Sequence, residues 1–317
     1  MNTSFTSVTE FVLQCVIDSG QRTYTIAALV LIFLISFIGN LLVILVIVIN
    51  HQHQTPMFIF IAALAVVDMI NSTNLIPRML AAMIYGSLSV SYGPCALQIH
   101  IEAHILAVET LLLCLMALDR YVAVVYPLRY PSLVTNRTAL ACLLQANVIA
   151  VIIITPLTIL LTELIFCISN SLPSCFCDYP TMVQIACNDD PKFLTYLSTI
   201  TVIFAFGPLL LILFSYIRIT QAALQISSVE GKKKVFSTCL THLLVVGTIY
   251  IPLFLSYMLP GLGIPLSIEA YNTLIIVGNT VPPMLNPIIY SFRNKEIKGS
   301  ILKLLTGTKP RQEIKNY

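Results

Sequence analysis

Seven long apolar runs set the limits on what this chain can become. They cover roughly 24–49, 57–84, 95–126, 139–163, 193–226, 232–259 and 269–291. Each is about as long as a helix must be to cross the hydrocarbon core of a bilayer, ~20 residues. Only 10% of the residues are charged and 57% are hydrophobic. A soluble domain carries about 25% charged residues, so this chain could not cover a water-facing surface. The sequence therefore predicts an all-α membrane protein: a seven-transmembrane helix bundle with a short amphipathic cytoplasmic helix after the seventh span. The fifth and sixth helices are expected to run past the bilayer. The expected organisation is an extracellular N-terminus over 1–23, one membrane domain over 24–291, and a cytoplasmic helix and tail over 292–317. No repeat or low-complexity segment interrupts it.

Positive charge orients the bundle, because Lys and Arg collect on the cytoplasmic side. Of 17 such residues, Arg22, Arg78 and Lys192 fall on the N-terminal side of the membrane. The other fourteen lie at the opposite ends, including Lys232, Lys233, Lys234 and seven from Arg293 onward. The first inner loop, Asn50 to Thr55, holds neither Lys nor Arg and does not contribute. The N-terminus is thus expected outside and the C-terminus inside, which requires an odd number of spans. The net charge of +3 is a topology signal, not a nucleic-acid footprint. The stretch from Arg293 to Glu296 opens the amphipathic helix, which should lie along the membrane through Leu304. Residues 1–20 contain Glu10 and Asp18 and lack the pattern of a signal peptide, so the first helix is expected to act as the targeting signal. Asn2-Thr3-Ser4 is an outer glycosylation sequon. The sequons at Asn71 and Asn136 fall in a helix and an inner loop and are discounted. His51 and His53 lack a third metal ligand and read as loop residues.

Nine cysteines are present. Cys114, Cys142 and Cys239 read as packing residues, and Cys15 lies near the first helix. Cys95 opens the third helix on the outside. Cys167, Cys175, Cys177 and Cys187 sit in the long outer loop, where oxidation is possible. A bond from Cys95 would pin that loop over the bundle. Five outer cysteines is an odd number, so one is expected to stay unpaired, and the sequence alone does not fix the pairing.

Polar groups inside apolar spans are costly and mark functional positions. Here they are Asn40, Asp68, Glu102, His104, Glu109, Asp119, Arg120, His242, Asn279 and Asn286. Asp119-Arg120-Tyr121 ends the third helix. Its Arg can pair with the neighbouring carboxylate in one state and reach across the bundle in another; a snorkelling interfacial Arg is the plainer alternative. In the seventh helix, Pro283-Met284-Leu285-Asn286-Pro287-Ile288-Ile289-Tyr290 predicts a kink. Asn286 is expected to satisfy the carbonyls so freed, with Tyr290 one turn further in.

These two motifs, at the inner ends of the third and seventh spans, resemble those of rhodopsin-like G-protein-coupled receptors. Met116 to Leu128, Thr55-Pro56-Met57-Phe58, Lys234 to His242 and Ser215-Tyr216 are similar to odorant-receptor segments. The departures are mild, Leu118 for Tyr and Val124-Val125 for Ile-Cys among them, and drift toward a fish-type receptor. The resemblance implies a plasma-membrane odorant receptor that is not an enzyme, binds a small-molecule odorant, and activates a heterotrimeric stimulatory G protein to raise cyclic AMP. It implies that Asp119 restrains Arg120 at rest, and that Tyr121, Tyr216, His242, Asn286, Pro287 and Tyr290 belong to the switch and coupling machinery. It implies disulfides from Cys95 to Cys177 (with Cys187 as alternative) and from Cys167 to Cys187.

Asp68 and Glu109 match acidic positions of odorant receptors. Two buried carboxylates at similar depth repel unless a cation or proton intervenes, so they are expected to hold a sodium ion or share a proton; no other cofactor is implied. The pocket is expected in the outer half of the bundle. Its stripe on the third helix would be Glu102, Ala103, Leu106 and Ala107. Ile200 and Phe204 would face it from the fifth, and Tyr250, Leu253, Phe254 and Tyr257 from the sixth. Asn272, Ile276 and Asn279 would complete it from the seventh. Glu102 matches the acidic residue that binds ammonium in aminergic receptors. It is expected to meet a basic nitrogen, unless it pairs with His104 or a loop residue or is solvated at the rim. A peptide or hormone receptor of the same fold is the alternative, and the odorant motifs argue against it.

Overall fold

The computed structural model describes residues 9–17, 20–50, 55–167, 170–188, 190–261, 266–293 and 295–306. Seven long helical stretches cross side by side. They are α1 (Arg22–Ile49), α2 (Pro56–Tyr85), α3 (Tyr92–Val125) and, after the short α4 (Tyr130–Leu133), α5 (Asn136–Thr162). The long outer loop holds α6 (Tyr179–Ile185). The fifth span joins α7 (Lys192–Thr201) to α8 (Gly207–Leu224) through a π-helical turn, Val202–Phe206. The sixth and seventh spans are α9 (Val229–Gly261) and α10 (Ile268–Arg293), and α11 (Lys295–Thr306) is the amphipathic helix. The sequon at Asn2, His51 and His53 lie outside the described residues.

Local chemistry sets the ends of these helices. Pro56 occupies the first position of α2, where its missing N–H costs nothing. Gly86 ends α2 with φ at 80°, a conformation open to glycine. Thr135 and Thr138 cap α5 reciprocally: Thr138 N–H donates to the Thr135 hydroxyl at 3.2 Å, and Thr135 N–H to the Thr138 hydroxyl at 2.8 Å. Among the described residues, six spans are long and apolar enough to cross a membrane by length and composition. The seventh carries Asn272, Asn279 and Asn286 with Pro282, Pro283 and Pro287, which lowers its hydropathy but not its length of 26 residues. Side chains such as Leu31 (60% exposed), Ile152 (65%) and Leu210 (66%) point outward and form the lipid-facing surface.

α3 runs through the middle, touching α2, α5, α8 and α9. Two buried clusters surround it. The inner one gathers Val43, Leu64, Leu112, Met116, Ile212, Tyr216, Val245 and Tyr290. The outer one gathers Cys95, Ile99, Val108, Leu157, Met182, Phe193 and Phe204. Close approaches use glycine: a Cβ on Gly39 would come within 2.9 Å of Pro287, and one on Gly278 within 2.9 Å of Pro252. Ile297 of α11 is fully buried against the inner cluster.

A three-stranded sheet covers the outer end, an addition to the all-α bundle that no sequence pattern announced. β1 (Glu10–Leu13) pairs antiparallel with β2 (Leu88–Ser91) and parallel with β3 (Ser171–Leu172). Phe11 and Leu13 are fully buried, and Phe11 packs edge-on against Phe166 at 4.9 Å. Disulfides join Cys95 to Cys177 and Cys167 to Cys187. A third joins Cys15 to Cys175, which corrects the expectation of an unpaired outer cysteine. Cys15 belongs to the outer set, so the outer cysteines number six.

Candidate ligand pocket and cytoplasmic switch

A cavity of about 770 Å³ opens in the outer half of the bundle. Glu102, Ala103, Leu106 and Ala107 line it from α3, one stripe of a helix stepping by three and four. Ile200 and Phe204 face it from the fifth span and Leu253 from the sixth. A second cavity of about 540 Å³ shares Glu102, Leu106 and Leu253 with the first and reaches Asn71, Glu109 and Asn279. A third, of about 370 Å³ beside the π-helical turn, is lined by Tyr250, Leu253 and Phe254. Phe254 is also 52% exposed toward the lipid side.

Two expected pocket residues point elsewhere. Asn272 is buried with its Nδ2 donating to the carbonyls of Pro173 at 3.1 Å and Val16 at 3.4 Å, so it anchors the outer cap. Ile276 packs with Leu29, Leu75 and Met79 between the first two spans. Both lie on the side of α10 that faces α1 and α2, a rotation the sequence did not disclose. The Tyr257 side chain lies outside the described residues. His104 is two residues from Glu102 and so on the far side of α3, stacked near His100 at 6.4 Å. Among the described residues the Glu102 carboxyl makes no hydrogen bond or ion pair, with His104 or otherwise.

The largest omission is the loop. Asp178, Tyr179 and Pro180 descend into the cavity and form its roof, and Thr110, Tyr271 and Ile275 complete its wall. Asp178 caps α6: its Oδ2 accepts from Thr181 N–H at 3.3 Å and, at a longer 3.5 Å, from the Tyr271 hydroxyl. Burial raises the Asp178 carboxyl above the ordinary range, while the hydroxyls of Thr181, Ser174 and Tyr271 oppose that rise. An Asp-Tyr-Pro helix start could have been read as a cap, but nothing local says that it points into the bundle.

At the cytoplasmic end, Arg120 pairs with Asp119 at 3.1 Å. The Tyr130 hydroxyl donates to the other Asp119 oxygen at 2.8 Å, a partner from α4 that the sequence reading missed. Tyr216 and His242 share a hydrogen bond of 2.6 Å, tying the fifth span to the sixth. Tyr290 is buried with its hydroxyl unpartnered. Tyr121 stands off from this group, edge-on to Tyr126 at 5.8 Å.

Asn286 donates to both oxygens of Asp68, at 3.0 and 3.3 Å. It therefore does not serve the carbonyls freed by proline, as had been expected. Asn40 of α1 donates to Pro283 O at 2.9 Å, the carbonyl left free by Pro287. Asn71 of α2 donates to Asn279 O at 3.2 Å, the carbonyl left free by Pro283. Neighbouring helices supply the missing donors.

A seven-helix bundle with a cavity in its outer half and an Asp119–Arg120 ion pair at its inner end is the arrangement of a membrane receptor of the rhodopsin-like kind. The chain matches the family model described as olfactory receptor over residues 29–308. It is similar to olfactory receptor 13G1 of Homo sapiens, 34% identical over 305 residues that span 95% of this chain and 98% of the relative. Olfactory receptor 10A4 of Homo sapiens is 35% identical over 315 residues, spanning 98% and 99%. The chain belongs to the olfactory receptor family. It is a multi-pass plasma-membrane protein and not an enzyme.

Proposed function

We propose that this odorant receptor binds a small ligand carrying a basic nitrogen in the outer cavity and activates a stimulatory (olfactory) G protein, raising cyclic AMP. The observation that carries the ligand class is Glu102, a carboxyl without a hydrogen-bond or ion-pair partner among the described residues, on the wall of a mostly apolar cavity. An unpaired carboxylate there calls for a cation. Ligand contact with α3 and α9 favours an arrangement in which the sixth span leaves the third. Arg120 then exchanges Asp119 for the opened cleft, where Tyr216 and Tyr290 stand, and the partner G protein selects that state. The test is a cyclic-AMP assay in cells supplied with the olfactory G protein, using amines, acids and neutral volatiles. Amines should activate the receptor and Glu102→Gln should abolish their response. Activation by neutral volatiles with amines silent ends the proposal.

Asp68 and Glu109 are proposed to hold a sodium ion in the resting receptor. Two buried amide oxygens without partners, Asn71 Oδ1 and Asn286 Oδ1, support this, because a hard cation takes oxygen ligands of this kind. Sodium titration should lower agonist potency and Glu109→Gln should remove that effect. If potency ignores both, there is no such site.

A further inference from the structure

The outer cavity holds two carboxyls, not one. Glu102 rises from the bundle wall, and Asp178 comes down from the loop that roofs it. No Lys, Arg or His lines the cavity among the described residues. Asp178 is 5% exposed, and its Oδ1 has no hydrogen-bond partner. Its Oδ2 accepts from Thr181 N–H and the Tyr271 hydroxyl, so Oδ1 is the oxygen left open to a donor; a buried acceptor left unmade costs about 1–3 kcal/mol.

The position of Asp178 is built and not incidental. The preceding residue, Cys177, is bonded to Cys95, and its N–H donates to Gln98 Oε1 at 3.0 Å. Gln98 is itself held by Arg78 at 2.9 Å and donates to Asn74 O at 2.8 Å. The Thr181 cap fixes the following turn. Apolar side chains such as Ala103, Leu106, Ile200, Phe204 and Leu253 make up most of the remaining wall, with Thr110, Thr201, Tyr179 and Tyr271 among them. Two carboxyls on one mostly apolar cavity complement a molecule with two cationic groups and an apolar middle.

We infer that Asp178 forms a second cation subsite in the same cavity as Glu102, and that the receptor is built for ligands with two basic nitrogens joined by a hydrocarbon spacer, the α,ω-diaminoalkanes. This rests on the basic-nitrogen reading of Glu102 and deepens it. A charged hydrogen bond of this kind is worth about tenfold to a hundredfold in affinity.

The test uses the full-length receptor in the cyclic-AMP assay. Diaminoalkanes of three to eight carbons, numbers chosen to cover about 5–12 Å between the two nitrogens at ~1.3 Å per bond, are compared with monoamines of equal length. The best diamine should act at an EC50 at least about tenfold below its monoamine. Asp178→Asn, which retains the capping oxygen, should raise the diamine EC50 to the monoamine value and leave the monoamine within about threefold. Asp178→Ser, a second capping residue, should do the same, with surface immunostaining confirming that both variants are displayed. Equal potency of diamines and monoamines, or an equal shift of both in Asp178→Asn, overturns the second subsite while the Glu102 reading stands. Silence to every amine with a response to neutral volatiles overturns both.

Discussion

Asn40 and Asn71 show how single residues make a proline-rich span tolerable in lipid. Each donates to a carbonyl that a proline four residues later has freed. Removing the donor leaves that carbonyl unmet in a medium without water. Asn40→Ala should therefore cost about 1–2 kcal/mol, read as a fall of several degrees in the detergent melting temperature. An unchanged melting temperature would show that another group serves Pro283 O. Asp178 carries the residue-scale pH prediction. Burial lifts its carboxyl above the ordinary range, so it protonates at a higher pH than an exposed aspartate. Protonation removes the charge that holds an ammonium. Diamine preference should thus weaken as the assay is acidified from neutrality, and Asp178→Asn should show no such slope. Glu102, Tyr179 and Tyr271 share the cavity, so the difference between wild type and variant is the quantity to read. Glu102 was legible in the sequence because a carboxyl in an apolar span is conspicuous. Asp178 was not, because an aspartate in a polar loop looks like any other.

Elements were placed well by hydropathy and less well in rotation. The expected span 57–84 is observed as Pro56–Tyr85, and 139–163 as Asn136–Thr162. Apolar length reports where a helix lies but not which face meets a neighbour, so the sequence places Asn272 and Ile276 toward the pocket while the structure turns them to the outer cap and the first two spans. The break at Val202–Phe206 was also invisible, although Pro208 just beyond it lacks an N–H. Close packing of α9 on α10 is an element property that one atom can test. Gly278→Ala would place its Cβ 2.9 Å from the Pro252 ring, which cannot rotate away. A loss of about 1–3 kcal/mol should appear as lower surface display and a lower melting temperature. Gly93→Ala, with nothing within 4 Å of the new Cβ, should change either by no more than about 0.5 kcal/mol.

At the scale of the whole molecule, the outer cap binds the N-terminal segment, the first outer loop and the long outer loop into one lid. Three disulfides and a three-stranded sheet hold it. On intact cells a membrane-impermeant maleimide should label none of Cys15, Cys95, Cys167, Cys175, Cys177 and Cys187 until a reductant is added. One equivalent of label without reduction would restore the odd, unpaired cysteine that the sequence suggested. Reduction should also weaken agonist potency, because Cys177 positions Asp178.

The sequence by itself determined the membrane as solvent, seven spans, their orientation and the inner Asp-Arg and Asn-Pro motifs. All of these follow from local composition, since hydropathy and charge act on each segment separately. The tertiary structure alone decided that Asn40 and Asn71 serve the prolines of another helix, that Cys15 completes the outer disulfides, and that Asp178 and Glu102 line one mostly apolar cavity. Those facts join residues up to 243 positions apart, and one-dimensional spacing carries no information about which distant groups meet. Packing and the disulfides bring them together.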